Sequence, residues 1–158
     1  MTTVTLRPMT PAEFERWQVV LTEDYAREQV ASGRWPREGA VQRAREENAG
    51  MLPQGIDTPR MLVLRGEDAD GEDVGRAWVA LDGPRGMTGS AFLYDIEVVE
   101  GRRGRGYGRA LLAAVEDAAR QAGATTLELN VFGQNRTAVA LYDSAGYAVV
   151  TQQMRKQL

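Results

Sequence analysis

Residues 98–123 read VVEGRRGRGYGRALLAAVEDAARQAG, and four arginines and four glycines crowd the stretch from Gly101 to Arg109. An apolar run precedes it and a helical pattern follows, so the stretch joins a strand to a helix. The first backbone N–H groups of a helix have no intrahelical acceptor, and the helix dipole favours an anion there. Glycines remove the side chains that would hold a phosphate away from the main chain. Arg102, Arg103, Arg105 and Arg109 add charge with a fork that suits phosphate oxygens. Cations at the positive end of a helix destabilise it unless an anion compensates. A solvated basic loop, with glycines that serve only to turn the chain, is the plain alternative. Two familiar phosphate loops do not fit. Gly101 and Gly106 have the Walker A spacing, but Tyr107 and Gly108 stand where Lys and Ser/Thr are needed. Gly104 and Gly106 begin a Rossmann fingerprint, but Arg109 takes the place of its third glycine.

The rest of the composition narrows the chemistry. With 158 residues, 43% of them apolar and 26% charged, the chain reads as one soluble globular domain over residues 1–158. No apolar run approaches the roughly 20 residues of a membrane span. The first residues lack a basic segment followed by an apolar one, so no secretory signal is read. Cysteine is absent, which removes disulfides and thiolate chemistry and makes the cytoplasm the expected compartment. Histidine is absent too, which excludes a Ser-His-Asp triad, a His base and the usual zinc sites. Any chemistry must use carboxylates, tyrosines, backbone groups or a bound cofactor, and no metal is expected. A net charge of −3 argues against nucleic acid as a partner. Every basic residue except Lys156 is an arginine; the bias covers the whole chain and reads as a coding preference.

Along the chain, TVTLRP alternates like a short strand stopped by Pro8. Thr10, Pro11 and Glu13 form a helix start with cap, first-turn proline and capping-box glutamate. Phe14, Trp17, Leu21 and Tyr25 continue it as an apolar stripe. Residues 32–39 break that helix, and Pro36 is expected to open a second one through Ala49. Strands are expected over 61–64, 75–81 and 90–99, then a helix after the glycine-arginine loop. TTLELNVF is a further strand, NRTAVALYDSAG a helix closed by Gly146, and YAVVTQQM a last strand. The order β-α-α-β-β-β-α-β-α-β describes a mixed α/β (α+β) domain around one sheet.

The spacing Arg103-x-x-Gly106-x-Gly108 resembles the pyrophosphate loop of the GCN5-related N-acetyltransferase (GNAT) superfamily, Q/R-x-x-G-x-G/A. NRTAVALYDSAGY, residues 135–147, is similar to the downstream N-x-x-A-x-x-L-Y-x-x-x-G-[FY] helix of that superfamily. The resemblance is strongest over 94–147 and weak before Met61. It implies a sheet of six to seven strands with about four helices, and a cofactor-binding core over about 90–150. It implies an N-acetyltransferase that uses acetyl-CoA as cosubstrate and an amine as acceptor, with no membrane partner. Many members dimerise, so a homodimer is one open assembly.

Residue by residue, the resemblance assigns Val98 and Val99 to pairing with the pantetheine arm, as a peptide adds to a sheet edge. It wraps the pyrophosphate with Arg103, Gly104, Arg105, Gly106, Tyr107, Gly108 and Arg109. Asn135 would reach the cofactor arm, or act as a plain helix cap, or both. Tyr142, two turns further on the same face, would be the acid that protonates the leaving thiolate; a core tyrosine is the structural alternative. A base must deprotonate the ammonium form of the acceptor. Strand alternation puts Asp95 and Glu97 on one face and Phe92, Tyr94 and Ile96 on the other, unless a bulge shifts the parity. Glu97 is the first candidate base, through a water, and Asp95 the second; either could be a structural ion pair.

Tyr94, Asn130 and Trp35 are the acceptor-side candidates. Asn130 stands where some N-terminal acetylases have a glutamate; an amide is no base, although it can hold a water or a substrate carbonyl. Trp35, with Glu38, Glu46 and Glu47, lies in the region that borders the acceptor in relatives, where packing and solvated charge are the simpler readings. Two other functions remain open. One is a non-catalytic acyl-CoA-binding or sensor domain, the other a nucleotide-binding module.

Overall fold

The computed structural model describes residues 2–158. The chain runs β1 (Thr5–Pro8), α1 (Pro11–Ala31), α2 (Ala40–Met51), β2 (Met61–Glu67), β3 (Asp73–Ala80), β4 (Ser90–Val98), α3 (Tyr107–Gln121), β5 (Thr126–Leu129) and α4 (Arg136–Ser144). The strands form one sheet in the order β1-β2-β3-β4-β5. All neighbours are antiparallel except β4 and β5, which are parallel. The resulting α+β fold has five strands among the described residues, which corrects the expected six to seven. The strand expected over YAVVTQQM does not form: from Ala148 onward no backbone hydrogen bond to another segment holds the chain. The element order therefore ends at α4. Among the described residues no helix is long and apolar enough to cross a membrane.

Local chemistry accounts for most of the boundaries. Thr10 Oγ1 accepts from the Glu13 N–H at 3.2 Å, and the Thr10 N–H donates to Glu13 Oε2 at 2.8 Å, completing the capping box. Arg7 hydrogen-bonds the same carboxylate and holds it down at about 2, which ties β1 to the start of α1. The second helix starts four residues later than Pro36 suggested. Gly39 precedes it with φ of 75°, a left-handed conformation that interrupts any helix continuing from Pro36.

The sheet separates two apolar layers. Ala77, Val79, Ala91 and Leu93 pack on Leu112, Val115 and Ala119 of α3. On the other face Val63 and Trp78 pack on Trp17 and Leu21 of α1, with Met9 and Leu52. The crossing from β4 to β5 through α3 gives the parallel pair.

The pairing of β3 with β4 contains an irregularity that matters for the site. Val79 lies opposite Leu93 and Trp78 opposite Asp95, so Tyr94 is an extra residue. Such a bulge reverses the side-chain parity beyond it. Asp95 and Glu97 share a face, as expected, but it is the α1 face that they share with Phe92 and Tyr94. Tyr94 stacks on Phe92 at 4.6 Å and on Trp78 at 4.8 Å, and Asp95 is hydrogen-bonded by Trp17 of α1. Ile96 turns to the α3 side. The simple alternation is thereby corrected. Past Leu93 and Leu129 the parallel pairing stops; β4 continues to Val98, while β5 ends and leaves that stretch of β4 with a free edge.

Gly75 allows this end of the sheet to close. A Cβ there would lie 2.2 Å from the carbonyl oxygen of Glu97, closer than any real contact. Gly75→Ala is expected to destabilise the fold by about 2 kcal/mol, the usual cost of overpacking. Urea unfolding midpoints read this directly, and an unchanged midpoint would contradict the close approach.

Candidate active site

The glycine-arginine stretch begins with a single 3₁₀ turn, Glu100–Arg102, and then enters α3. Gly106 caps α3 with φ of 84°, where any other residue would be strained. The Arg102 and Arg103 N–H groups bond back to Val99 and Glu100, and the Ala110 N–H bonds to Gly106. Between them, the N–H groups of Gly104, Arg105, Gly106, Tyr107, Gly108 and Arg109 have no acceptor among the described residues. Successive free donors at a helix N-terminus form a concave anion site.

The four arginines have different roles. Arg102 is paired with Asp68 at 2.7 Å and donates to the Tyr107 hydroxyl at 3.2 Å. Asp68 belongs to the β2–β3 turn and also accepts from the Asp70 and Glu72 N–H groups. Arg102 therefore buttresses the loop from behind. Arg109 is held by Ser144 at the end of α4. Arg103 reaches back along β4: its Nε donates to the Val98 carbonyl at 3.1 Å and its Nη2 pairs with Glu97 Oε1 at 2.7 Å. Among the described residues only Arg105 of the four has no protein acceptor for its guanidinium.

A charged group lies under α1, where the bulge has turned β4. Arg76 of β3 is its centre. Its guanidinium bonds Asp95 at 2.7 Å and Glu97 at 2.6 Å, with Asp24 of α1 at 3.5 Å. Burial works against the charge on Arg76, but Asp95, Glu97 and Asp24 outweigh it and hold the guanidinium charged. Asp95 also accepts from Trp17 Nε1 at 2.9 Å. Each carboxylate proposed as a base is thus already bound by two donors. Glu28, one turn beyond Asp24 on α1, has no side-chain partner among the described residues; burial and the nearby Asp24, Asp95 and Glu97 push its carboxyl up. A hollow of about 290 Å³ opens beside Arg65, Gly75, Arg76, Glu97, Val99 and Arg103.

Helix α4 brings in the other predicted residues. Asn135 Oδ1 accepts from the Ala138 N–H at 3.2 Å, so it is the cap of α4, and its amide nitrogen remains available. Tyr142 packs among the residues beside α3, 5.6 Å from the ring of Tyr147. Burial raises its phenol, and the charge of Asp95 adds to the rise. Tyr94 and Asn130 flank the region where β4 and β5 part. Trp35 lies apart from this group. It is 8% exposed, packed against Tyr25, Ala40 and Ala44, with Arg43 stacked on it at 4.4 Å. Glu46 and Glu47 are likewise occupied on α2, by Gln42 and by Tyr25 with Arg43.

Sequence reasoning missed Arg76, Asp24, Glu28 and Asp68. Arg76 left one trace, a lone charge within the apolar run VGRAWVA. The others look like ordinary surface acids until the fold brings them together.

Known proteins share this fold. The model of the Acetyltransferase (GNAT) family matches residues 17–147. Two Bacillus subtilis proteins, both described as uncharacterized N-acetyltransferases, are 34% identical: YdgE over 98% of each chain and YycN over 99% of each. The crystal structure of YycN superposes with a TM-score of 0.92 over 99% of both chains. An aminoglycoside N-acetyltransferase, AAC(6')-Iy in complex with CoA, shares the fold at 17% identity and a TM-score of 0.62, over 100% of this chain and 96% of its own.

An acidic side chain at the N-terminal cap of α3 tests the anion site. Gly106→Asp is expected to abolish binding of CoA in calorimetry while the chain still folds by circular dichroism. Unchanged affinity would remove the loop from the site.

Proposed function

The chain belongs to the acetyltransferase (GNAT) family and is an N-acetyltransferase; from that premise we propose that it moves the acetyl group of acetyl-CoA to a primary amine by direct attack. The observation that carries the reading is the run of free N–H groups from Gly104 to Arg109 at the start of α3, beside the free edge of β4. These donors, with the Arg105 guanidinium, would hold the pyrophosphate. The free edge of β4 at Val98 would pair with the pantetheine arm; Val99, expected to share that role, lies past the end of β4 and turns its N–H to the β3 side, where it donates to the Val74 carbonyl at 2.9 Å. The Asn135 amide nitrogen is free to reach the same arm. When bound, acetyl-CoA supplies an activated acetyl group, whose C–S bond breaks as the new C–N bond forms.

Tyr142 suits the acid role. A buried phenol, raised further by the negative charge of Asp95, keeps its proton throughout neutral pH and can give it to a departing thiolate. Raising the phenol moves the loss of that proton to higher pH, so the alkaline fall in activity belongs above the usual phenol value of about 10.

Arg103 gives the base question a physical form. It sits on the Val98 carbonyl and on Glu97 together. Pairing of a cofactor arm with Val98 requires that guanidinium to leave, and its departure uncovers Glu97 Oε1. Asp95, fixed by Trp17 and Arg76, is the orienting member of the pair. Glu97 then takes the ammonium proton through a water. The acceptor is a small-molecule amine or a peptide amine, entering between α1 and β4 past Tyr94 and Asn130, where Asp24 and Glu28 attract its positive charge. A non-catalytic acyl-CoA-binding domain is the second reading; CoA binding without thiol release across a panel of amines would favour it. Binding of ATP or NAD in preference to CoA would overturn both.

Two substitutions separate the roles. Tyr142→Phe is expected to lower kcat at least tenfold with little change in cofactor Kd, and to remove the alkaline limb of the rate profile; an undiminished rate rules out the acid. Glu97→Gln is expected to lower kcat while the Kd for CoA holds or tightens, because Arg103 loses its anchor. A wild-type kcat assigns the proton to bulk water instead.

A further inference from the structure

A second hollow, of about 160 Å³, lies between α1 and the sheet and is lined by Glu13, Arg16, Trp17, Val20, Arg65 and Arg76. It shares Arg65 and Arg76 with the hollow beside Glu97, so the two form one groove across β2, β3 and β4. Strand pairing sets its scale. Arg65 lies opposite Arg76, and Arg76 opposite Glu97. Neighbouring strands are about 4.8 Å apart, so Arg65 and Glu97 stand about 10 Å from each other across the sheet.

The two ends of the groove offer opposite chemistry. In the second hollow the one acid, Glu13, already accepts twice from Arg7 and once from the Thr10 N–H. Trp17 Nε1 is occupied by Asp95, and Arg76 is held by Asp95, Glu97 and Asp24. Arg65 gives only its Nη2, to Asp73. Arg16, exposed on α1, has no protein acceptor among the described residues. The hydrogen-bonding groups still free at this end are therefore guanidinium donors. At the other end they are acids: Glu100 has no side-chain partner among the described residues, and Asp24 and Glu28 add negative charge beside Glu97.

We propose that the amine accepted by this protein also carries a carboxylate, held by Arg16 and Arg65 about 10 Å from the nitrogen, which lies over Glu97. The planar guanidinium fork matches a carboxylate, and Val20 gives the link between the two charges an apolar wall. A molecule charged only at its amine would leave the donor end unmet. An extended peptide rises about 3.3 Å per residue, so an acidic side chain on its third residue spans the groove, as does a medium-chain ω-amino acid. The inference deepens the acetyl-transfer reading and rests on it.

Two acceptor pairs test it by thiol release from acetyl-CoA. One pair is two tripeptide amides that differ only in glutamate or glutamine at the third residue; the other is a medium-chain ω-amino acid and its primary amide. The carboxylate member of each pair is expected to have a KM roughly tenfold lower, the usual worth of a hydrogen bond to a charged group. Arg16→Gln is expected to bring the two KM values of each pair together, and Arg65→Gln to do the same. Arg16 is exposed, so its replacement, with the fold checked by circular dichroism, keeps the test valid even if Arg65→Gln disturbs the sheet. Equal KM values within both pairs overturn the proposal and leave acetyl transfer standing. So does a preference for the carboxylate that Arg16→Gln leaves intact, or thiol release only from amines that lack a carboxylate. No thiol release from any amine overturns both readings.

Discussion

The extra residue in β4 at Tyr94 governs the working end of this molecule. Before it, Ala91 and Leu93 belong to the layer under α3; after it, Ile96 takes that place and the carboxylates of Asp95 and Glu97 face α1. Without the bulge those two carboxylates would point into the apolar layer beside Leu112 and Val115, where an unpaired charge is prohibitive. With it they meet Arg76 and Trp17, which satisfy them. The same local twist accompanies the end of pairing with β5, so one residue both aims the acids and exposes the strand edge. Gly75 is the counterpart on β3, leaving room for the Glu97 carbonyl.

The arginines that make the sequence conspicuous mostly do not wait for an anion. Arg102 and Arg109 fasten the loop to the β2–β3 turn and to α4. These contacts fix the backbone so that its N–H groups converge before any ligand arrives, which lowers the ordering cost of binding. Charge on the loop is thus partly structural. Free N–H groups and Arg105 are what remain for recognition, which suits a ligand whose phosphates must come close to the main chain.

Much of this was legible because it depends on short-range chemistry. Thr10 and Glu13 announce the start of α1; Gly106 and Gly108 announce the loop; Asn135 and Tyr142, seven residues apart, announce one face of α4. What could not be read depends on pairing between distant segments. The start of α2 is set by the left-handed Gly39, which Pro36 obscured. The bulge at Tyr94 exists only relative to Trp78 and Val79, so β4 alone suggests the wrong parity. Arg76 gains its role from Asp24, 52 residues earlier, and no local pattern joins them. The final strand failed for the same reason in reverse, since its residues favour extended structure but a strand needs a neighbour.

Arg103 joins the two halves of the site. One guanidinium bonds the carbonyl that a cofactor arm would use and the carboxylate that an acceptor proton would need. While it stays, the Glu97 carboxylate is bound by two cations, Arg76 and Arg103. Were a cofactor arm at Val98 to displace it, Glu97 would keep only Arg76, which Asp95 and Asp24 already share. The local balance then shifts towards negative charge, which favours a cationic amine over the empty cleft. Cofactor binding would in this way strengthen acceptor binding, and linkage requires the acceptor to tighten the cofactor equally. On the proposed chemistry, a single side chain would couple the two ligands without any movement of the sheet.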